Sequence, residues 1–220
     1  EYVAVPAANL AEMPAGLDFV AAAAPLLVSL TAWRMLIHRA DLHPAETVLV
    51  VGAGGGVNSM AIQVAKLAGA TVWVVADGAE KSAKAARLGA DRVIDRSQTD
   101  WVREVLKATG RRGVDVVVDN VGRATLAGSM QAVARGGRIV IVGNTSGPKA
   151  EIDIRFIFGK QISLIGSTMG SHQDFLTVTD LLWKGRLEPV IDRVFPLSEG
   201  IEAYRRMEAG GHFGKILLQP

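Results

Sequence analysis

The chain has 220 residues, 49% of them hydrophobic, with a formal net charge of +2, few aromatics and no cysteine. That is enough apolar material for one large domain, or one domain with part of another, and it excludes disulfides and thiolate-bound metal. The missing basic stripe and stacking platforms argue against a nucleic-acid partner. The richest apolar run, 19–30, is interrupted by Pro25 and falls short of the roughly 20 residues of a membrane span.

In chain order, EYVAVP (1–6) reads as a strand already in progress, so the chain reads as a fragment, and its cysteine-free composition fits a cytoplasmic protein. Residues 1–18 are expected to hold this strand, a proline-marked turn and a second short extended piece. Asp18 is placed to N-cap a long apolar helix over 18–40. Residues 47–70, TVLVVGAGGGVNSMAIQVAKLAGA, then form a buried strand, a glycine-rich turn and an amphipathic helix. That sequence of elements presents bare backbone N–H groups and a helix N-terminus to a pyrophosphate.

Further β-rich runs follow at 71–76, 92–95, 114–121 and 138–143, with a sixth at 162–166. Helix-period segments at 57–68, 79–88, 98–109 and 124–134 separate most of them, and Gly69, Gly89 and Gly110 sit just past three of these helices. Near-continuous apolar strands are expected where helices cover both sheet faces. The pattern predicts an α/β fold: a Rossmann-type, doubly wound, six-stranded parallel sheet over 30–166 in the order 3-2-1-4-5-6. Beyond it come a helix at 172–184, an extended piece at 187–197, a helix at 198–209 and a last strand at 214–220. These outer pieces are expected to form one lobe that the sheet domain interrupts.

Four functional classes are weighed against the residues. A short-chain dehydrogenase needs Tyr-x-x-x-Lys, but Tyr2 is followed by Pro6 and Tyr204 by Glu208. A methyltransferase usually has an acid late in the first strand, and TVLVV has none. A P-loop needs Gly-Lys-Ser/Thr, whereas this turn continues Val57-Asn58-Ser59. The non-enzyme alternative is an NAD(P)-binding module or sensor without turnover. His38, His43, His172 and His212 show no i, i+4 ligand spacing and read as surface or capping residues. Asp119, at a strand end, reads as a hydrogen-bonding residue rather than an acid or base.

The segments EYVAVP, AAAAPLLVSLTAW, GAGGGV, AKLAGA, LGADRVID, VVVDNVG, GGRIVIVG, GSTMGS, RLEPVIDRVFPL and HFGKILLQP together resemble the medium-chain dehydrogenase/reductase superfamily. The likeness is to its zinc-type alcohol dehydrogenase-like and quinone oxidoreductase-like members. It implies an NAD(P)-dependent oxidoreductase moving hydride to or from a small-molecule alcohol or carbonyl, quinone or activated alkene. It also implies a homodimer formed through the edge strand near 162–168. The implied division is the end of a GroES-like catalytic domain with a linking helix (1–29), the dinucleotide-binding domain (30–166) and a return segment (167–220). Most of the catalytic domain would lie upstream, so the fragment alone is expected to be inactive, and no catalytic residue is assigned.

The resemblance also implies a cofactor site. Counted back from the helix's closing Gly-Ala, Ala53, Gly55 and Asn58 take the three glycine positions of the turn. Asn58 departs from the pattern and is expected to loosen the helix–strand contact or demand a local adjustment. Gly54, Gly55 and Gly56 would meet the pyrophosphate, while Thr31 and Val57 would pack on the nicotinamide. Asn120 and Val121, Gly143 and Asn144, and Gly166 and Ser167 close the fourth, fifth and sixth strands and would line the nicotinamide half. Ala76 stands where NAD-preferring members carry an acid, with Asp77 next to it as a substitute. Lys81 and Arg96 match positions used against a 2′-phosphate. NADP(H) is therefore favoured, with NAD(H) as the alternative. The family's third catalytic zinc ligand falls on Leu27, so no zinc is expected in this chain.

Overall fold

A computed structural model describes residues 3–220. Glu1 and Tyr2 of the expected first strand lie outside the described residues. Residues 3–6 form no strand, and a single tight turn, Ala7–Asn9, follows. Val3 and Val5 are exposed there, without the ladder partner an extended segment needs.

Asp18 does cap a helix: its carboxylate accepts the N–H of Ala21 at 3.1 Å at the start of α1 (Phe19–Ala23). Pro25, which has no N–H to leave unpaired, begins α2 (Leu26–Trp33), and a wide helical turn, Arg34–Arg39, continues it. The helical run Phe19–Arg39 therefore spans 21 residues, close to the 18–40 expected, and its most apolar 18-residue window has a mean hydropathy of 1.7. By length and composition it could cross a membrane; 56% of its most apolar window is buried inside the protein. Val28, Ala32, Met35 and Leu36 of this run join one core with residues of the glycine-turn helix.

The sheet domain runs β1 (Thr47–Val51), α3 (Gly56–Leu67), β2 (Thr71–Ala76), α4 (Ala79–Arg87), β3 (Arg92–Asp95), α5 (Trp101–Ala108), β4 (Val114–Asp119), α6 (Leu126–Ala132), β5 (Val133–Ile141), α7 (Ile154–Lys160) and β6 (Ser163–Gly166). Its six strands are all parallel, in the order β3-β2-β1-β4-β5-β6, as the sequence predicts. Alternation along β1 sends Val48 and Val50 to one face, with Met60, Val64 and Leu36, and Leu49 and Val51 to the other, with Met130 and Ile139. Each fully buried aliphatic side chain contributes about 1.5–3 kcal/mol, and burial on both faces explains why the strands lack polar positions.

Differences from expectation are local. β4 ends at Asp119, so Asn120 and Val121 lie in the following turn. β5 begins directly after α6 and bulges near Gly136, whose φ is +74°. The short helix α7 lacks a clear sequence period. Tertiary contacts hold it: Lys160 Nζ donates to the carbonyls of Met130, Gln131 and Val133 at 2.7–3.1 Å, capping the end of α6.

After the sheet come α8 (His172–Trp183), β7 (Ile191–Pro196), α9 (Gly200–Glu208) and β8 (Lys215–Gln219). A capping box between Ser171 and Asp174 starts α8. The Asp174 carboxylate, nearly buried, also meets Arg34 at 3.3 Å and His38 at 2.7 Å, fastening α8 to the α2 run. β7 and β8 pair in parallel as a separate two-stranded sheet, so the outer pieces do not share the large sheet.

Candidate functional site

The glycine turn connects β1 to α3 at the carboxyl edge of the sheet. Gly55 occupies the N-cap of α3 with φ −76° and ψ 149°, and no side chain caps the helix. The first N–H groups of such a helix have no intrahelical acceptor and carry the positive end of its dipole. The three neighbouring glycines differ in what a side chain would meet. A Cβ on Gly54 would lie 2.9 Å from the His212 carbonyl and 3.3 Å from Lys81 Nζ. One on Gly56 would lie 2.8 Å from Lys215 Cδ and 3.0 Å from Val28 Cγ1. A Cβ on Gly55 would meet nothing within 4 Å, because it points into open space.

That space is a cavity of about 670 Å³. It runs from the turn to the ends of β4 and β5, and the α9–β8 loop forms its outer wall. Of the residues singled out in the sequence, Gly54, Gly55, Gly56, Val57, Lys81, Asn120, Val121 and Gly143 line it together. Asn58 and His212 line it too, whereas Thr31, Asp77, Arg96, Asn144, Gly166 and Ser167 stand outside its lining. Thr31 is buried in α2, its hydroxyl donating to the Leu27 carbonyl at 2.8 Å. Asp77 and Arg96 pair with each other at 2.8 Å. Asn144 accepts the Gly147 N–H and packs beside Gly122. The Gly166 carbonyl accepts from Arg39 Nε at 2.9 Å, and Ser167 N–H donates to the Ile141 carbonyl.

Asn58 does not loosen the turn. It is 6% exposed, and its Nδ2 donates to the carbonyls of Val51 and Gly52 at 2.9 and 2.6 Å. Its Oδ1 accepts from Asn120 Nδ2 at 2.7 Å, and Asn120 Oδ1 accepts the Val142 N–H at 2.9 Å. Two side-chain amides thus tie the ends of β1, β4 and β5 under the cavity. The local adjustment that the missing glycine demands is this amide clamp.

Asp119 is structural. It is fully buried and accepts from the N–H groups of Val121 and Gly122 and from the hydroxyls of Thr125 and Ser129 at 2.7–3.1 Å. These four donors shape the turn that carries Asn120 and Val121.

Sequence reasoning missed the outer wall: Met207, Glu208, Gly210 and His212 reach the cavity from the far end of the chain. The bonds that bring them are Gly214 N–H to the Gly54 carbonyl (2.9 Å) and Lys81 Nζ to the Gly210 carbonyl (2.7 Å). The base of the loop is held by the buried Asp192, which accepts from the Arg206 guanidinium and, at 3.0 Å, from Phe213 N–H. The Arg206 hydrogen bonds hold the Asp192 carboxyl below its ordinary 3.8 against the opposing effect of burial. His212, expected at the surface, lines the cavity, and its Nδ1 is buried without a partner. Burial and then the Lys81 charge hold its imidazole below the usual 6.5. The only sequence signal for this wall was its place just before the last strand.

Among the described residues no three His, Cys, Asp or Glu side chains gather as metal ligands. Leu27, at the position implied for a zinc ligand, is exposed and apolar.

A family model for zinc-binding dehydrogenases matches residues 56–184. Over 222 residues the chain is 36% identical to an NAD-dependent alcohol dehydrogenase of Saccharolobus solfataricus, covering 100% of this chain and 63% of that one. It is 30% identical to the quinone oxidoreductase of Homo sapiens, covering 99% of this chain and 68% of the relative. A crystal structure of an NAD-dependent alcohol dehydrogenase superposes with a TM-score of 0.93 at 40% identity, covering 98% of this chain and 63% of that one. The chain thus spans about three-fifths of the length of the first of these curated relatives.

Proposed function

Because the chain belongs to the zinc-binding dehydrogenase family of medium-chain dehydrogenases/reductases, we propose that its cavity holds a nicotinamide dinucleotide for hydride transfer. The observation that carries this reading is Gly55: a bare backbone at the uncapped start of α3, with open space where a Cβ would stand. The N–H groups of that first turn suit a pyrophosphate, which needs donors and positive potential rather than a side chain. The cavity lies beyond the carboxyl ends of β1, β4 and β5, where a sheet of this order places its ligand.

In this reading the residues of the chain bind and orient. Gly54, Gly55 and Gly56 receive the pyrophosphate, Val57 packs on the nicotinamide, and Asn120, Val121 and Gly143 line the nicotinamide half. Thr31, Asn144, Gly166 and Ser167 are assigned to the same half by the family resemblance, although none of them lines the cavity. The bound nicotinamide supplies or accepts the hydride. The proposed substrate is a small alcohol or carbonyl, a quinone or an activated alkene, and residues beyond this chain would complete its pocket. Residues 1–29 and 167–220 are assigned to the substrate-side domain and 30–166 to the cofactor domain. Leu27 does not fit a catalytic zinc, and no metal-assisted step is assigned to this chain.

NADP(H) is the proposed cofactor, and the relatives named above for NAD make this a claim about the chain's own residues. Ala76, fully buried at the end of β2, offers no carboxylate to the adenosine ribose. Lys81 lines the cavity, and Arg96, paired with Asp77 at the end of β2, carries a planar fork suited to phosphate. A homodimer through the edge strand β6 is also proposed, since Leu164 is exposed on that strand and Ile154 and Phe158 are exposed on the preceding α7. Titrating the chain with NADPH tests the central reading: saturable 1:1 binding supports it, and no binding at millimolar cofactor refutes it.

A further inference from the structure

The α9–β8 loop carries His212 to the glycine turn. The bond from Gly214 to Gly54 on one side and from Lys81 to Gly210 on the other fix it there. The imidazole faces the same cavity as Gly54 to Val57, yet its buried Nδ1 has no partner. With Nδ1 buried, Nε2 is the ring nitrogen left to meet a ligand, and in the protonated ring it is a donor. The charged groups around it are Lys81 of α4, Asp192 of β7, Arg206 of α9 and Lys215 of β8; Glu208 lines the same cavity. Asp192 is engaged by Arg206, which leaves the two lysines to set a positive field. Burial and Lys81 keep the ring neutral near pH 7, and an arriving anion would cancel that field.

We propose that His212 donates a hydrogen bond to a phosphate of the dinucleotide seated on the glycine turn, and that the ring takes up a proton as the anion binds. This rests on the cofactor reading above and deepens it. One proton passes from solvent to the imidazole, and no bond of the cofactor is made or broken.

The test is calorimetric titration with NAD⁺ between about pH 5.5 and about pH 8. NAD⁺ is the suitable probe because its pyrophosphate does not titrate in this range, whereas a phosphate monoester such as that of NADPH has a second pKa of about 6. The expected result is binding about tenfold tighter at the acid end, the effect of raising one coupled group by about one pH unit. Net proton uptake should appear when buffers of different ionisation heat are compared. His212→Gln should still bind NAD⁺, with a flat profile. A wild-type profile without proton uptake, or an unchanged slope in His212→Gln, overturns the proposal while leaving the cofactor site standing. Absence of NAD⁺ binding at every pH overturns the proposal, and the cofactor reading falls with it if NADPH does not bind either. Should His212→Gln fail to fold, wild-type proton uptake alone decides.

Discussion

Arg96 and Asp77 meet at the carboxyl edge of β3 and β2, guanidinium Nη2 to carboxylate Oδ2 at 2.8 Å. The two residues with opposite implications for the cofactor's 2′ position thus hold each other. Both side chains are about half exposed, 45% and 52%, so the pair contributes about 0–1 kcal/mol and dissolves readily. A 2′-phosphate can take the Arg96 fork from Asp77 at little cost.

NADPH is therefore expected to bind more tightly than NADH. Arg96→Ala should weaken NADPH by about tenfold, the loss of one charge-assisted contact, and leave NADH nearly unchanged. Asp77→Asn should widen the preference by releasing Arg96. Calorimetry with both cofactors reads the outcome, and equal affinities in the wild type would end the NADP(H) assignment.

The Asn58–Asn120 clamp predicts coupled stability. Asn58→Ala or Asn120→Ala each leaves buried backbone or amide groups unpaired, at about 1–3 kcal/mol. The double variant should lose less than the sum of the two. A urea-unfolding double-mutant cycle should give a coupling of about 0.5–3 kcal/mol; additive losses would mean that the bond between the two amides carries no weight.

Asp119→Ala removes one acceptor from four buried donors. The expected cost is about 3 kcal/mol or more, with loss of the ordered turn at 120–122. A variant with wild-type stability in chemical denaturation would refute this structural role.

Acid should release the cavity's outer wall. Asp192 is held below its ordinary 3.8 in the folded chain by the Arg206 hydrogen bonds and the Phe213 N–H. Its contribution is therefore full above about pH 4 and is lost as pH falls through the depressed value. Hydrogen exchange of residues 210–215 should accelerate on such acidification. Asp192→Asn should show fast exchange already at neutral pH, and protection equal to wild type would refute the account of the latch.

The sheet was legible because both faces of every central strand are buried, so strands such as VLVV and VVVD stand out from the helices between them. The turn was legible for the same local reason: strand, glycines and helix adjoin in the chain. Helix α7 was not, because Lys160 and the carbonyls it caps lie 27–30 residues apart. His212 was missed because bonds between residues more than 100 positions apart bring it to Gly54. Asn58 was noticed, but its meaning required seeing Asn120, 62 residues on. Pairings set by the tertiary fold leave no period and no spacing in the sequence.

Gly55→Val tests the central claim most directly, because a Cβ at this position meets nothing within 4 Å and the fold should survive. The account predicts a folded chain with at most the modest stability loss of a poorer N-cap and NADPH and NADH affinities each reduced by about a hundredfold or more, since the pyrophosphate could no longer approach the backbone. A folded Gly55→Val chain that binds either cofactor as the wild type does would contradict it.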